Sequence, residues 1–458
     1  MLKYFNKSNK HFYWSALALA GPVIISQIGH TLVQTADTVI VGKFVGTISL
    51  AAVSLVHSVF IVVMVLGIGI SYGLTPLIAQ ANGKDNKDAC GKLLSNSLWL
   101  NIITAIILFA LVNFGSMYAI EHLDQDPEVV AAAKPYLFIL MLSIIPLMVF
   151  NTFKQFAEGL GFTKQAMNIT IWGNILNILL AITFVRGWFG IEPMGIKGVG
   201  YATLIDRVVM MLAMAFYVMR AERFKEYIKS FRLFYINIKR FTSIFKIGMP
   251  VALQYVFEMG SFAVAAIFAG KIGAVEQASH QVATALTSMT YMMASGIASA
   301  ATIKTGHSYG RGNLPRVKTF ANVSYHLVIT FMLLCAVVFA VFNQQLPLIV
   351  SNDPIVISTA AKLLIIAVIF QFFDGTQVVG LGILRGMGDV NIPTFITFIA
   401  YWIIGIPSAY LFGIYLNIGI EGIWYGLALG LSTSSILLFI RYRVIIGKKT
   451  KDLQQCKI

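Results

Sequence analysis

Long apolar runs alternate with short polar breaks along this chain. A membrane-crossing helix needs about 20 mostly apolar residues. Such runs fall near 14–40, 48–74, 93–115, 135–157, 166–187, 194–219, 243–270, 277–303, 318–343, 356–382, 392–414 and 418–441. The pattern predicts an all-α polytopic membrane protein with twelve transmembrane helices. Gly and Pro interrupt several runs, which membrane helices tolerate where neighbours satisfy the backbone. The alternation expected of a membrane β-barrel is absent.

A shift of about 227 residues lays the chain over itself. Pro22 falls on Pro250, Gly42-Lys43 on Gly270-Lys271, and Gly83-Lys84 with Asn86 on Gly310-Arg311 with Asn313. Asp126-Pro127 falls on Asp353-Pro354, and Gly159 and Gly161 fall on Gly386 and Gly388. With a slightly shorter shift, Gly195-Ile196-Lys197-Gly198 meets Gly419-Ile420-Glu421-Gly422. An even number of spans per half keeps both halves in one orientation. The expectation is two pseudo-symmetric six-helix bundles, a parallel repeat about an axis along the membrane normal. The division is an N-terminal lobe over 1–225, a basic cytoplasmic linker over 226–246 and a C-terminal lobe over 247–458.

Composition sharpens this picture. Of 458 residues, 58% are hydrophobic and 12% charged, with a mean hydropathy of +0.79. Soluble domains carry about twice that share of charge, so a soluble enzyme and a disordered chain are excluded. The net charge of +15 raises the question of nucleic acid, but the placement of Lys and Arg answers it. One set of segments holds Lys3, Lys7, Lys10, Lys84, Lys87, Lys92, Lys154, Lys164, Arg311, Arg316, Lys318, Arg385, the tail from Arg441 to Lys457 and the whole of the 220–246 loop. The opposite set holds Lys43, Lys134, Arg186, Lys197, Lys271 and Lys362, with Glu121, Asp124, Asp126 and Glu128. This asymmetry places both termini and the central loop in the cytoplasm and makes membrane lipid, not nucleic acid, the partner of the basic surface. Cys90, Cys335 and Cys456 show no CxxC spacing, so neither a disulfide framework nor a zinc site is expected. The basic N-terminus lacks a small-residue cleavage site and reads as a cytoplasmic tail.

Ionisable groups at bilayer depth are costly and mark function. Glu258 lies in the seventh run with Gln254 one turn before it. Asp374 lies in the tenth, flanked by Gln371 and Gln377. Asp37 ends a stripe of Gln27, His30, Gln34 and Asp37 whose spacing puts all four on one helical face. Asn174 and Asn177 occupy the fifth run, and Thr203, Asp206 and Arg207 the sixth. Asp37, Glu258 and Asp374 have no basic partner in their own runs, so each is a candidate to hold a proton or Na⁺. The repeat maps Asp37 onto Ala265, Glu258 onto His30 and Asp374 onto Leu147, so the scaffold is duplicated but the acids are not. His57, His280 and His326 read first as helix–helix hydrogen-bond partners. Tyr291 to Met293 and Phe60 to Met64 read as packing or as the wall of an apolar pocket. Two G-x-S-x-G matches, at 69–73 and 306–310, sit in or just after apolar runs, away from the strand-to-helix turn a nucleophile elbow needs. No Walker loop or metal-spaced Cys/His set is present.

The stretches GMPVALQYVFEMGSFAVAAIFAGKIG with AVEQASHQVA, QFFDGTQVVGLGILRGMGD with VNIPTFITFIAYWIIGIP, and QTADTVIVGKFVG resemble the multidrug and toxic compound extrusion (MATE) family, in its NorM-like branch. The resemblance covers nearly the whole chain. It implies a secondary antiporter, not an enzyme, that expels lipophilic organic cations in exchange for Na⁺ or H⁺ by alternating access, without a cofactor. It implies that Asp37, Glu258, Asp374, Asn177 and Thr203 serve cation coupling, with Glu258 and Asp374 a candidate Na⁺ site, and the acid Asp206 within the sixth run joins this candidate set on its own charge. It further implies substrate contacts from Tyr291 and Asp353, and the polar residues Gln34, His57, Gln371 and Gln377 within the runs join them as candidate substrate contacts. A monomer in a bacterial inner membrane is expected. Thr284 for a usual Asn, Ala294 for a frequent Pro, Phe370 for a Tyr, Ala181 for an acid and the extra Asp206 depart from the family pattern and leave the coupling ion open. The alternative within the superfamily is a flippase for lipid-linked saccharide or lipid. Its cleft would be lined by Arg and Lys, whereas the deep charges here are mostly acids, with Arg207 the exception.

Overall fold

The computed structural model describes residues 10–116, 127–190 and 192–455. Lys3, Lys7, Glu121, Asp124, Asp126, Cys456 and Lys457 lie outside the described residues. Every regular element among those described is a helix. The first half holds α1 (Lys10–Phe44), α2 (Thr47–Ser71), α3 (Leu74–Gly83), α4 (Lys87–Leu111), α5 (Pro127–Leu142), α6 (Ile144–Gly159), α7 (Lys164–Arg186) and α8 (Ile196–Arg220). The short α9 (Lys225–Ile228) lies in the linker. The second half holds α10 (Ile238–Ile272), α11 (Ala274–Gly310), α12 (Leu314–Val341), α13 (Pro354–Gly386), α14 (Asn391–Phe398), α15 (Ile406–Tyr410) and α16 (Ile420–Gln455). α2 with α3, and α5 with α6, each run on as a single span.

Eleven of the described spans are long and apolar enough to cross a membrane. The other long helix, α11, has 37 residues but is rich in Ser and Thr. Its hydroxyls bond back to its own carbonyls, as Thr287 does to Ala283 O at 3.1 Å and Thr302 to Ala298 O at 3.0 Å. Such self-satisfied hydroxyls fit a helix buried among others in an apolar medium.

The helices form two compact units, and neither follows chain order throughout. One comprises Ile25–Ala252, and the other comprises Leu253–Ile458 together with the chain up to Ile24. Both α1 and α10 therefore change allegiance within a continuous helix, shortly after Pro22 and Pro250. Close glycine contacts show why. A Cβ on Gly69 of α2 would stand 2.4 Å from Ala252 Cα, and one on Gly296 of α11 would stand 2.3 Å from Ile24 Cγ1. These contacts are equivalent under the repeat, and the backbones approach because no side chain intervenes.

The repeat also survives in the turns. Asn86 caps α4 by accepting from Ala89 N at 2.9 Å, and Asn313 caps α12 by accepting from Arg316 N at 3.0 Å. The preceding residues, Asp85 (φ 55°) and Gly312 (φ 70°), share a left-handed backbone, which Asp tolerates better than most residues do.

One charge of the basic set lies deep within a helix. Lys154 lies inside α6, only 4% exposed, 4.0 Å from Glu158 and 6.0 Å from the Phe150 ring centroid. Its partner is one helical turn onward, so it is a buried ion pair and not a surface lysine.

Two candidate ion and substrate clusters

Each unit carries its own buried polar cluster. In the unit containing Leu253–Ile458, α10 supplies Glu258, α11 supplies Thr290 and Tyr291, and α13 supplies Gln371, Asp374 and Gln377. Glu258 and Asp374 are 6% and 4% exposed. Tyr291 donates its hydroxyl to Glu258 Oε2 at 3.4 Å. Gln371 and Thr290 are joined at 2.8 Å. Tyr401 donates to Gln377 Oε1 at 2.6 Å and lies within interaction range of both Glu258 and Asp374. No Lys, Arg or His among the described residues pairs with either acid, while Gln377 Nε2 is buried without a partner. The cluster thus offers two unneutralised carboxylates beside phenol and amide oxygens. Such a donor set suits a hard monovalent cation, a proton or an organic cation.

Tyr401 stands on a π-helical stretch, Ile399–Gly405, between α14 and α15. Wide turns of this kind are frequent at functional sites. Glycines support it: a Cβ on Gly430 would lie 2.8 Å from Ala400 O, so α16 packs directly on this backbone.

In the unit Ile25–Ala252, α1 supplies Asp37, α2 His57, α5 Tyr136, α7 Asn177, and α8 Thr203, Asp206 and Arg207. Asp37 and Asp206 are 5% and 4% exposed. Asn177 Nδ2 donates to Thr203 Oγ1 at 3.2 Å, and His57 Nε2 lies 3.3 Å from Tyr136 Oη. Arg207 forms no ion pair with Asp206 or Asp37. It donates to Ser143 Oγ at 2.6 Å and lies 5.0 Å from the Phe60 ring centroid. Asp37 Oδ1, Asn177 Oδ1 and Asp206 Oδ1 are all buried with no partner, so this cluster leaves three acceptor oxygens open. Gly173 makes room for Asp206, whose Oδ1 would lie 2.6 Å from a Cβ there.

Two expected substrate residues stand apart from these clusters. Gln34 is exposed on α1. Asp353 caps α13, accepting from Ile355 N at 2.8 Å. The other two histidines act between helices: His280 Nδ1 accepts from Trp424 Nε1 at 3.2 Å, and His326 meets Tyr13 at 2.8 Å. Ser71 and Ser308 of the G-x-S-x-G matches both lie in or at the end of helices. Sequence reasoning missed Tyr401, Tyr136, Thr290 and Ser143. Each is a polar tip in an apolar run, with no charge to mark it.

This molecule is a polytopic helical membrane protein, internally duplicated, with carboxylates buried separately in each half. It belongs to the MatE family, whose profile matches twice, over residues 22–183 and 250–411, once in each half. Multidrug resistance protein MdtK of Yersinia pseudotuberculosis is 33% identical over 450 residues, covering 96% of this chain and 97% of that one. MdtK of Pectobacterium atrosepticum is 31% identical over 436 residues, covering 93% and 94%. Among solved structures, a MATE protein in the bent conformation aligns with a TM-score of 0.89 at 22% identity, over 98% of this chain and 99% of that one. The eukaryotic MATE transporter AtDTX14 aligns with a TM-score of 0.86 at 17% identity, over 98% and 100%. These structures share the twelve-span fold.

Proposed function

We propose that this protein is a secondary multidrug efflux transporter that exports lipophilic organic cations in exchange for Na⁺ or H⁺. The observation that carries the reading is the pair Glu258 and Asp374, buried without a basic partner beside Tyr291 and Tyr401. Buried carboxylates with no counter-charge are expensive unless a proton or a bound cation neutralises them. Two cations that need the same carboxylates exclude one another, and that competition is the coupling free energy an exchanger requires. The aromatic neighbours add attraction for a diffuse organic cation without tight shape selection. Asp37 and Asp206, with Asn177 and Thr203, form the second cation-coupling cluster. Gln34 and Asp353, lying apart, contact substrate only outside the buried clusters. The names of the curated relatives support drug efflux. The Lys and Arg asymmetry supports cytoplasmic termini, the bacterial relatives support an inner membrane, and the chain acts as a monomer and not as an enzyme.

The test is efflux of a fluorescent organic cation from proteoliposomes under an imposed Na⁺ gradient and, separately, an imposed pH gradient. One gradient drives efflux in the wild type, and Glu258→Gln and Asp374→Asn lose it. If neither gradient moves the cation with folded protein, cation export is wrong, and lipid-linked substrates are the next assay.

A further inference from the structure

The linker between the halves does not hang free. It climbs along α4, held by side chains on successive turns of that helix. Lys87 pairs with Glu226, and Ser230 donates to Asp88. Gly91 lets the linker backbone pass, since a Cβ there would lie 2.4 Å from Tyr227 O. Higher up, Arg232 N donates to Ser95 Oγ at 3.0 Å, Asn237 N donates to Asn96 Oδ1 at 2.7 Å, and Trp99 Nε1 donates to Leu233 O at 2.6 Å. Ser95 and Asn96 are fully buried by this docking.

Four apolar side chains of the docked segment point outward. Leu233, Phe234, Ile236 and Ile238 are 49%, 81%, 56% and 77% exposed, and Phe234 lies 6.2 Å from the Trp99 ring. Arg232, Lys239 and Arg240 flank them. Depth follows from helix geometry. Ser95 and Trp99 stand 8 and 12 residues beyond Lys87, roughly 12 and 18 Å along the axis. The span Lys87–Gly115 has 29 residues, about 44 Å at 1.5 Å per residue, against a hydrocarbon core of about 30 Å. The excess of about 14 Å ends near Ser95 and Asn96 when it lies at the linker end, so the apolar tip sits where hydrocarbon begins. Irregular backbone reaches that depth only if its polar groups are satisfied. Ser95, Asn96 and Trp99 satisfy those of Arg232, Leu233 and Asn237.

We propose that residues 231–238 form a membrane-seated strap. Phe234 and Ile236 enter the acyl chains of the leaflet on the linker side, and Arg232, Lys239 and Arg240 take anionic phospholipid headgroups. Apolar side chains at the headgroup boundary with basic flanks are the chemistry by which interfacial segments bind anionic bilayers. The strap is independent of the transported substrate, so it stands or falls apart from the efflux reading.

The experiment places a photoreactive benzoylphenylalanine at 234, at 236 or, as a reference, at 225, in the full chain reconstituted in nanodiscs of phosphatidylcholine with phosphatidylglycerol. Lys225 lies at the start of the linker and before the strap, immediately preceding residue 226, with its side chain 69% exposed. Irradiation and mass spectrometry at 234 and 236 are expected to give lipid adducts several-fold above those at 225, with phosphatidylglycerol enriched over its bulk share. Replacing Arg232, Lys239 and Arg240 by Gln removes that enrichment and leaves the lipid adducts. Equal yields at 225 and 234 overturn the proposal, as do adducts at both 234 and 236 confined to a second copy of the chain. Two photoreactive positions guard against a local effect of either substitution.

Discussion

Neutralising Glu258 tests the site most directly. A monovalent cation at about 4 Å from a carboxylate gains about 4 kcal/mol at an effective dielectric of about 20. Glu258→Gln removes that attraction and keeps the shape, so the half-saturating concentration of the coupling ion should rise about a thousandfold. Tyr291→Phe removes one hydroxyl whose contact with Glu258 is long at 3.4 Å. Its effect should be no more than about tenfold, the scale of a single weak hydrogen bond. Efflux of a fluorescent cation from proteoliposomes, titrated against external Na⁺ and separately against external pH, reads both numbers. Stability separates a site effect from misfolding. Glu258 is buried and unpaired, so replacing it with an isosteric neutral amide should leave Tm unchanged or raise it. A Gln variant that binds the ion as the wild type does, or whose loss is smaller than that of Tyr291→Phe, would refute the carboxylate reading.

The remaining expectations concern packing and the linker. Gly69→Ala drives a Cβ into backbone atoms of Ala252, whereas Gly296→Ala meets first the side chain of Ile24. The former should therefore destabilise more, by about 1–3 kcal/mol, as read by thermal unfolding in detergent. Arg207→Lys loses the guanidinium bond to Ser143 and the contact over Phe60. A cost of about 1–2 kcal/mol is expected, and full stability would show that those contacts are idle. Glu226 has its carboxyl held below the usual range by the hydrogen bond from Lys87. A depressed carboxylate stabilises above its unfolded pKa and loses that contribution as pH falls through the lowered value. The opening of residues 222–230, read as hydrogen-exchange rates relative to the intrinsic amide rate at each pH, should thus be indifferent between about pH 8 and pH 5 and rise only in stronger acid. A rise already at about pH 6 would contradict this pairing.

The spans and the repeat were legible because both are properties of pattern. Apolar length marks a membrane helix without reference to its neighbours, and Asn86 and Asn313 carry a capping signal in their own residue type. Glu258 and Asp374 were legible because a charge in an apolar run has no inexpensive bland explanation. Tyr401 was not, since a tyrosine within IAYWIIG reads equally as packing, and only the π-helical stretch turns its hydroxyl toward Gln377. Lys154 misled for the opposite reason. Its charge grouped it with the basic positions that set orientation, while Glu158 one turn later held the explanation in plain view. The linker's basic residues signalled topology and hid the apolar tip among them. Its outward direction is fixed by Ser95, Asn96 and Trp99, far away in sequence.

The exchange of α1 and α10 between units bears on the origin of the molecule. The segment that was copied is half of the chain, but the body that folds around each core borrows the start of a long helix from the other copy. A protein made of one such half, standing alone, would expose the groove that Gly69 or Gly296 opens and have no helix of its own to lay there. Its ancestor before duplication is then best understood as a pair of chains that traded the starts of their first helices. Fusion of two such genes would turn a contact dependent on concentration into one held within a single polypeptide. Halves of the present chain, expressed as separate pieces cut within the linker, should accordingly recover function only together.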